Sequence, residues 1–127
     1  THDRKYLDRA VKSLNFMMQN PNLPDALVPY WDFDAPNIPN EPRDASTAAC
    51  VASALYEMDT YLPDNGYATL ADRIIRSLST PAYRPALGKY GCFLLMHSVG
   101  SIPHNNEIDV PLNYADYYFL EALTRRK

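Results

Sequence analysis

The chain has 127 residues, 46% hydrophobic and 21% charged, with a net charge of −3. That is one globular domain's worth of chain or less, and it excludes a disordered or collagen-like polymer. No Lys/Arg cluster exceeds Arg125-Arg126-Lys127, so nucleic acid is not an expected partner, and no apolar run approaches the roughly 20 residues that span a bilayer.

Thr1-His2-Asp3 is not a start site, and no signal-like apolar stretch follows it. The expectation is a piece of a larger protein. From Arg4 to Gln19 the apolar residues Leu7, Ala10, Val11, Leu14, Met17 and Met18 fall on one stripe of a 3.6-residue helix. Asn20-Pro21 ends it. Residues 21–43 then carry six Pro and the apolar residues Leu27, Val28, Tyr30, Trp31 and Phe33. Proline fixes φ and removes a donor, so this stretch reads as an ordered loop pinned by aromatics. Asp44 is an N-cap candidate for a second helix, expected over 44–62 and apolar nearly all round. The turn Pro63-Asp64-Asn65-Gly66 leads to a third, one-sided helix over 66–79. Beyond it lie a loop with Pro81 and Pro85, an eight-residue apolar run from Cys92 to Val99 that favours a short strand, and a polar loop from Gly100 to Asp109. A fourth helix with little polar face is expected over 111–126. Asp116 stands early and Arg125 and Arg126 late, which suits the helix dipole.

A repeat underlies this order. Leu7-Asp8-Arg9-Ala10-Val11-Lys12-Ser13-Leu14 returns as Ala71-Asp72-Arg73-Ile74-Ile75-Arg76-Ser77-Leu78, 64 residues on. One-sided helices alternate with all-round apolar ones. The fold class is therefore all-α, part of an α/α toroid: two outer–inner helix pairs side by side, with the inner helices the more buried. Both long loops join an outer helix to an inner one and so emerge at one rim. In repeat architectures, long insertions on one face build the binding surface.

Candidate chemistry concentrates in those loops. Trp31 and Asp32, in Tyr30-Trp31-Asp32-Phe33-Asp34, place a flat ring beside carboxylates, as a sugar site needs. Asp32 and Asp34 point the same way if the stretch is extended, although the same residues also serve as loop pins. Arg43 and Asp44 read as a capped helix start with a salt bridge, or as an anion site at a helix N-terminus. Ser101, His104 and Asn105 in the second loop carry short polar groups for an uronic acid or sulfate, or form a solvated turn. His97 reads as a core histidine, and Tyr114, Tyr117, Tyr118 and Phe119 as core. Cys50 and Cys92 read as two buried free thiols, with a disulfide between them as the alternative. Neither has a second Cys or His at two to four residues, so no zinc site is expected.

Three blocks carry a resemblance. They are Tyr30-Trp31-Asp32-Phe33-Asp34-Ala35-Pro36, Arg43-Asp44-Ala45-Ser46-Thr47-Ala48-Ala49, and Asn113-Tyr114-Ala115-Asp116-Tyr117-Tyr118-Phe119-Leu120-Glu121-Ala122-Leu123. In this order they resemble the C-terminal third of the unsaturated glucuronyl hydrolases, glycoside hydrolase family 88. That family has Asp-Thr-Ser-Ala or Asp-Ala-Ser-Ala where this chain has Asp44-Ala45-Ser46-Thr47. The resemblance implies an (α/α)6 barrel acting on unsaturated uronic-acid oligosaccharides, with no metal or organic cofactor. Residues 1–127 would then be the C-terminal fragment of one toroid domain, whose chief partner is the remainder of its own barrel. It also implies that the catalytic Asp pair lies outside this chain, so no catalytic residue is expected here. Trp31, Asp32, Ser101, His104 and Asn105 remain as substrate-binding candidates. In some members the loop before the last helix meets a sulfate through Ser and Lys. The stretch Gly100–Asp109 has Ser101 but no Lys. The rival readings are a saccharide epimerase or another glycosidase on the same toroid, or a non-catalytic helical-repeat module.

Overall fold

Four helices form where the periodicity places them, in a computed structural model that describes residues 3–126. Thr1, His2 and Lys127, the last of the basic cluster, lie outside the described residues. Helix α1 spans Arg4–Met18, α2 Ala45–Tyr61, α3 Tyr67–Leu78 and α4 Asn113–Arg125. Asp3 caps α1 through the Lys5 amide, and Asp44 caps α2 through the Ser46 amide. Gly66 opens α3 at φ 75°, a left-handed conformation that costs glycine nothing.

The core lies between α2, α3 and α4. Ala45, Ala48, Ala49 and Ala52 on α2, with Ala115 and Ala122 on α4, are fully buried. Their small side chains let the two helices approach closely. Leu55, Ile74, Leu78, Leu95 and Phe119 fill the space around them. Complete burial of each such side chain contributes about 1.5–3 kcal/mol. Helix α2 makes its most extensive contacts with α4 and α3, as an inner helix flanked by an inner and an outer neighbour should.

The expected burial order holds for α2 and fails for α4. Helix α2 buries nine residues, α3 four, α4 three and α1 one. Only one face of α4 packs on α2. Its other face presents Tyr117, Leu120 and Leu123 to solvent, at 59%, 50% and 39% exposure. The Tyr114–Phe119 cluster is thus not core as a whole: Phe119 is buried, Tyr118 half-buried, and Tyr114 and Tyr117 exposed. Pro111 precedes α4 rather than opening it.

The run from Cys92 to Val99 is a strand only at its end. A 3-10 turn covers Tyr90–Cys92, and the Leu94 and Leu95 amides donate to the Asp116 carboxylate at 2.8 and 2.9 Å instead of to a neighbouring strand. Strand β1 (Ser98–Ser101) pairs antiparallel with β2 (Asn106–Val110) around a 3-10 turn at Ile102–His104. The polar loop is therefore largely a hairpin. It was hidden because β2 alternates over only a few residues, with Ile108 and Val110 half-buried. The charges read as helix-dipole partners serve other elements as well: Asp116 holds the 94–95 backbone, Arg125 pairs with Glu57 at 3.0 Å, and Arg126 pairs with Asp72 at 2.8 Å.

Candidate functional site

Both long loops meet at the N-terminal end of α2, as their placement between outer and inner helices predicts. The first closes on itself through a bridge between Tyr30 and Arg43 and a bond from the Trp31 amide to the Pro42 carbonyl, 3.1 Å. The Asp44 amide donates to the Pro29 carbonyl and the Ala45 amide to the His97 carbonyl, each at 2.9 Å. One residue pair thereby ties loop 21–43, helix α2 and the start of the hairpin together.

Asp44 is 8% exposed, and its carboxylate accepts four hydrogen bonds. Oδ1 takes the Ser46 amide at 3.0 Å, the Ser46 hydroxyl at 2.6 Å and the Val99 amide at 3.3 Å; Oδ2 takes the Thr47 hydroxyl at 2.6 Å. Arg43 makes no salt bridge among the described residues. Its guanidinium instead stacks 3.9 Å from the Tyr30 ring centroid and donates to the Val28 carbonyl. The ring face supplies the negative potential that a carboxylate was expected to supply.

Beside Asp44 opens a cleft of about 280 Å³ between α2, α4 and the hairpin. Helix α2 lends it Ser46, Thr47 and Cys50, the hairpin Val99, and α4 Tyr114 and Tyr118. Burial raises the Tyr114 phenol; Asp44 and Glu107 add to the rise, and a hydrogen bond with Ser46 opposes it. Partial burial raises the Cys50 thiol, helped by Glu121 and Asp44. Cys50 and Cys92 are both free and both exposed, not buried. Cys50 lies on the solvent-facing stripe Thr47, Cys50, Ala54, Glu57, Tyr61, spaced alternately by three and four residues, which an all-round apolar reading of α2 conceals. Four side chains lining the cleft, Ser46, Thr47, Tyr114 and Tyr118, carry hydroxyls. Its one carboxylate, Asp44, is occupied by three donors on Oδ1 and one on Oδ2.

A second cleft of about 320 Å³ joins the two loops on the same rim, with Glu41 and Arg43 from the first and Tyr83, His97 and Asp109 from the second. His97 is therefore not a core histidine. Its side chain is 39% exposed, with Nδ1 2.7 Å from Asp109 Oδ1 and its ring edge-on to Tyr83.

The candidate contacts named from sequence fall into two separate groups. Trp31 is half-buried, and its Nε1 donates to Glu41 Oε2 at 2.8 Å. Asp32 Oδ1 accepts the Asp34 amide at 2.8 Å, forming a turn, so Asp32 and Asp34 are not an extended pair pointing one way. Ser101 and His104 share a bond at the hairpin tip, 2.7 Å between Oγ and Nδ1, and Asn105 turns the chain there at φ 49°. Among the described residues no hydrogen bond joins Trp31 or Asp32 to Ser101, His104 or Asn105. Missed from sequence were Thr47, Cys50, Tyr114 and Tyr118, whose helices were read as core. No cluster of three His, Cys, Asp or Glu suited to a metal occurs among the described residues.

The Trp31–Glu41 bond carries a pH dependence. The indole N–H lowers the Glu41 carboxyl below the ordinary glutamate value. A lowered folded-state value contributes stability above the unfolded-state value and loses it as pH falls through the folded one. Trp31 is the only tryptophan of the chain. Its fluorescence should therefore shift as the pH falls through the acid end of the carboxylate range, and Glu41→Gln should remove that titration while the far-ultraviolet spectrum stays unchanged.

No family model matches the chain. All 127 residues align at 46% identity with an unsaturated glucuronyl hydrolase of Formosa agariphila, covering 32% of that relative. The crystal structure of an unsaturated glucuronyl hydrolase specific for heparin superposes with a TM-score of 0.95 at 45% identity, over 99% of this chain and 34% of that one. The chain is a part-length relative of the unsaturated glucuronyl hydrolases. It spans about a third of the hydrolases it matches. A Streptococcus agalactiae glucuronyl hydrolase complexed with dGlcA-GalNAc6S matches over 96% of this chain, with a TM-score of 0.76 and 29% identity. These hydrolases are α/α barrels, and the four helices take the places of two outer–inner pairs in that fold. No described helix is long and apolar enough to cross a membrane.

Proposed function

We propose that residues 1–127 are the C-terminal portion of one α/α toroid domain in a glycoside hydrolase that removes an unsaturated uronic acid from lyase-generated oligosaccharides. The observation that carries this reading is the 46% identity over all 127 residues with an unsaturated glucuronyl hydrolase. In the reaction a carboxylic acid protonates C4 of the C4=C5 enol ether and water adds at C5. The resulting hemiketal opens the ring and releases the aglycone. No step calls for a metal or an organic cofactor. The proton donor comes from the rest of the barrel. This chain contributes the rim, with Trp31 and Asp32 on the first loop and Ser101, His104 and Asn105 at the hairpin tip as two groups of saccharide contacts.

The test is direct. The full-length protein should consume an unsaturated disaccharide made by a polysaccharide lyase, seen as loss of the enol-ether ultraviolet absorbance. An epimerase or a non-catalytic module would leave that absorbance intact.

The open face of α4 supports the remainder of the barrel as the partner of this chain. In the full-length protein Leu120→Ala should cost about 2–4 kcal/mol, as for a core leucine. In the 127-residue chain, where Leu120 is half exposed, it should change stability by less than about 0.5 kcal/mol. Denaturant unfolding of the four proteins measures the difference, and equal costs would remove α4 from the barrel wall.

A further inference from the structure

The 98–110 hairpin is packed at its base, where Ser98 is fully buried and Val110 lies against the core, and exposed at its tip. Across it, Gly100 accommodates the Glu107 side chain so closely that a Cβ there would stand 2.2 Å from Glu107 Oε2. At its tip Ser101 and His104 are hydrogen-bonded. At its base the register slips: Ser98 pairs with Val110 but Val99 with Ile108, leaving Asp109 as the extra residue of a bulge. That residue reaches back to His97 Nδ1 at 2.7 Å. Bulges of this kind bend a strand and re-aim its groups. Here the Val99 amide points to Asp44 Oδ1 of the helix cap. Among the described helices, α2 is the one against which β1 makes substantial contact. Two hydrogen bonds tie it there, that one and the neighbouring Ala45-to-His97 backbone bond, beside the packing of Val110 on the core.

We propose that Asp44 is a positioning residue for saccharide binding. Its buried carboxylate holds the hairpin against α2 through Val99, which lines the cleft between α2 and α4. The position of the hairpin, with Val99 at the cleft and Ser101 and His104 at its tip, in turn determines how tightly sugar is held. Asp44 itself touches no reacting atom. It acts through Val99, and the effect appears in binding rather than in the chemical step. The proposal rests on the hydrolase reading above.

The experiment compares full-length wild-type protein with Asp44→Ser and Asp44→Asn. Serine keeps an N-cap acceptor for α2 but is too short to hold Val99. Asparagine keeps Oδ1. For an unsaturated disaccharide, Asp44→Ser should raise KM about tenfold with kcat within about twofold, and Asp44→Asn should fall between it and wild type. Amide hydrogen exchange should speed up across residues 98–110 in Asp44→Ser while the α2 and α4 amides keep their protection. An active wild type whose Asp44→Ser variant keeps its KM overturns the proposal, as does a loss confined to kcat. Exchange that rises uniformly over the chain reduces Asp44 to a helix cap. A wild type inactive on every lyase product defeats the hydrolase reading instead, and the saccharide half of the proposal with it.

Discussion

The 127-residue chain alone is expected to leave an unsaturated disaccharide intact, while the full-length protein consumes it. A general acid must come within hydrogen-bond reach of the carbon it protonates. Asp44, the carboxylate at the rim cleft, has its oxygens taken by Ser46, Thr47 and Val99. Asp32 is committed to a turn with the Asp34 amide. Loss of a proton donor removes about 10²–10⁴-fold of rate, and loss of the opposite wall of the pocket removes orientation as well. Activity at the full-length rate in the isolated chain, abolished by Asp32→Asn or Asp34→Asn, would overturn this. It would make those two aspartates the catalytic pair.

Phe119→Ala is expected to be the most damaging single core substitution in this chain. Phe119 is 1% exposed on the α2-facing side of α4, with the Arg84 guanidinium over its ring at 5.6 Å. Truncating a buried phenylalanine costs about 3–5 kcal/mol, from lost burial and from the cavity left behind. For a chain of this size that lowers Tm by about 10 °C or more. The neighbouring Tyr117→Ala, at an exposed position, should leave Tm of the same chain within a few degrees. Thermal unfolding of both variants measures the contrast. Equal losses would mean that α4 packs through the wrong face.

The four helices and their order were legible because each carries its own local signal. Leu70, Ala71, Ile74, Ile75 and Leu78 recur with the helical period, Asp44 caps, and Asn65-Gly66 turns the chain. The meeting of both loops at one rim was legible too, because it follows from alternating outer and inner helices. What lines the cleft was not. Thr47 and Cys50 share a helix with Ala48, Ala49 and Ala52, and composition alone does not say which stripe meets α4 and which faces the cleft. The same ambiguity hid the open face of α4, since Tyr117 and Leu120 look like core until a neighbour is or is not there. His97 sits in an apolar run, and only the bulge that delivers Asp109 places its ring at the rim. The hairpin depends on pairing between residues up to a dozen positions apart and on the Asp44–Val99 bond across 55 positions. Sequence by itself determined where helices start, stop and recur, because those are interactions within a few residues. Tertiary structure decided which groups share the cleft, because that depends on burial and hydrogen bonds between segments that no local pattern encodes.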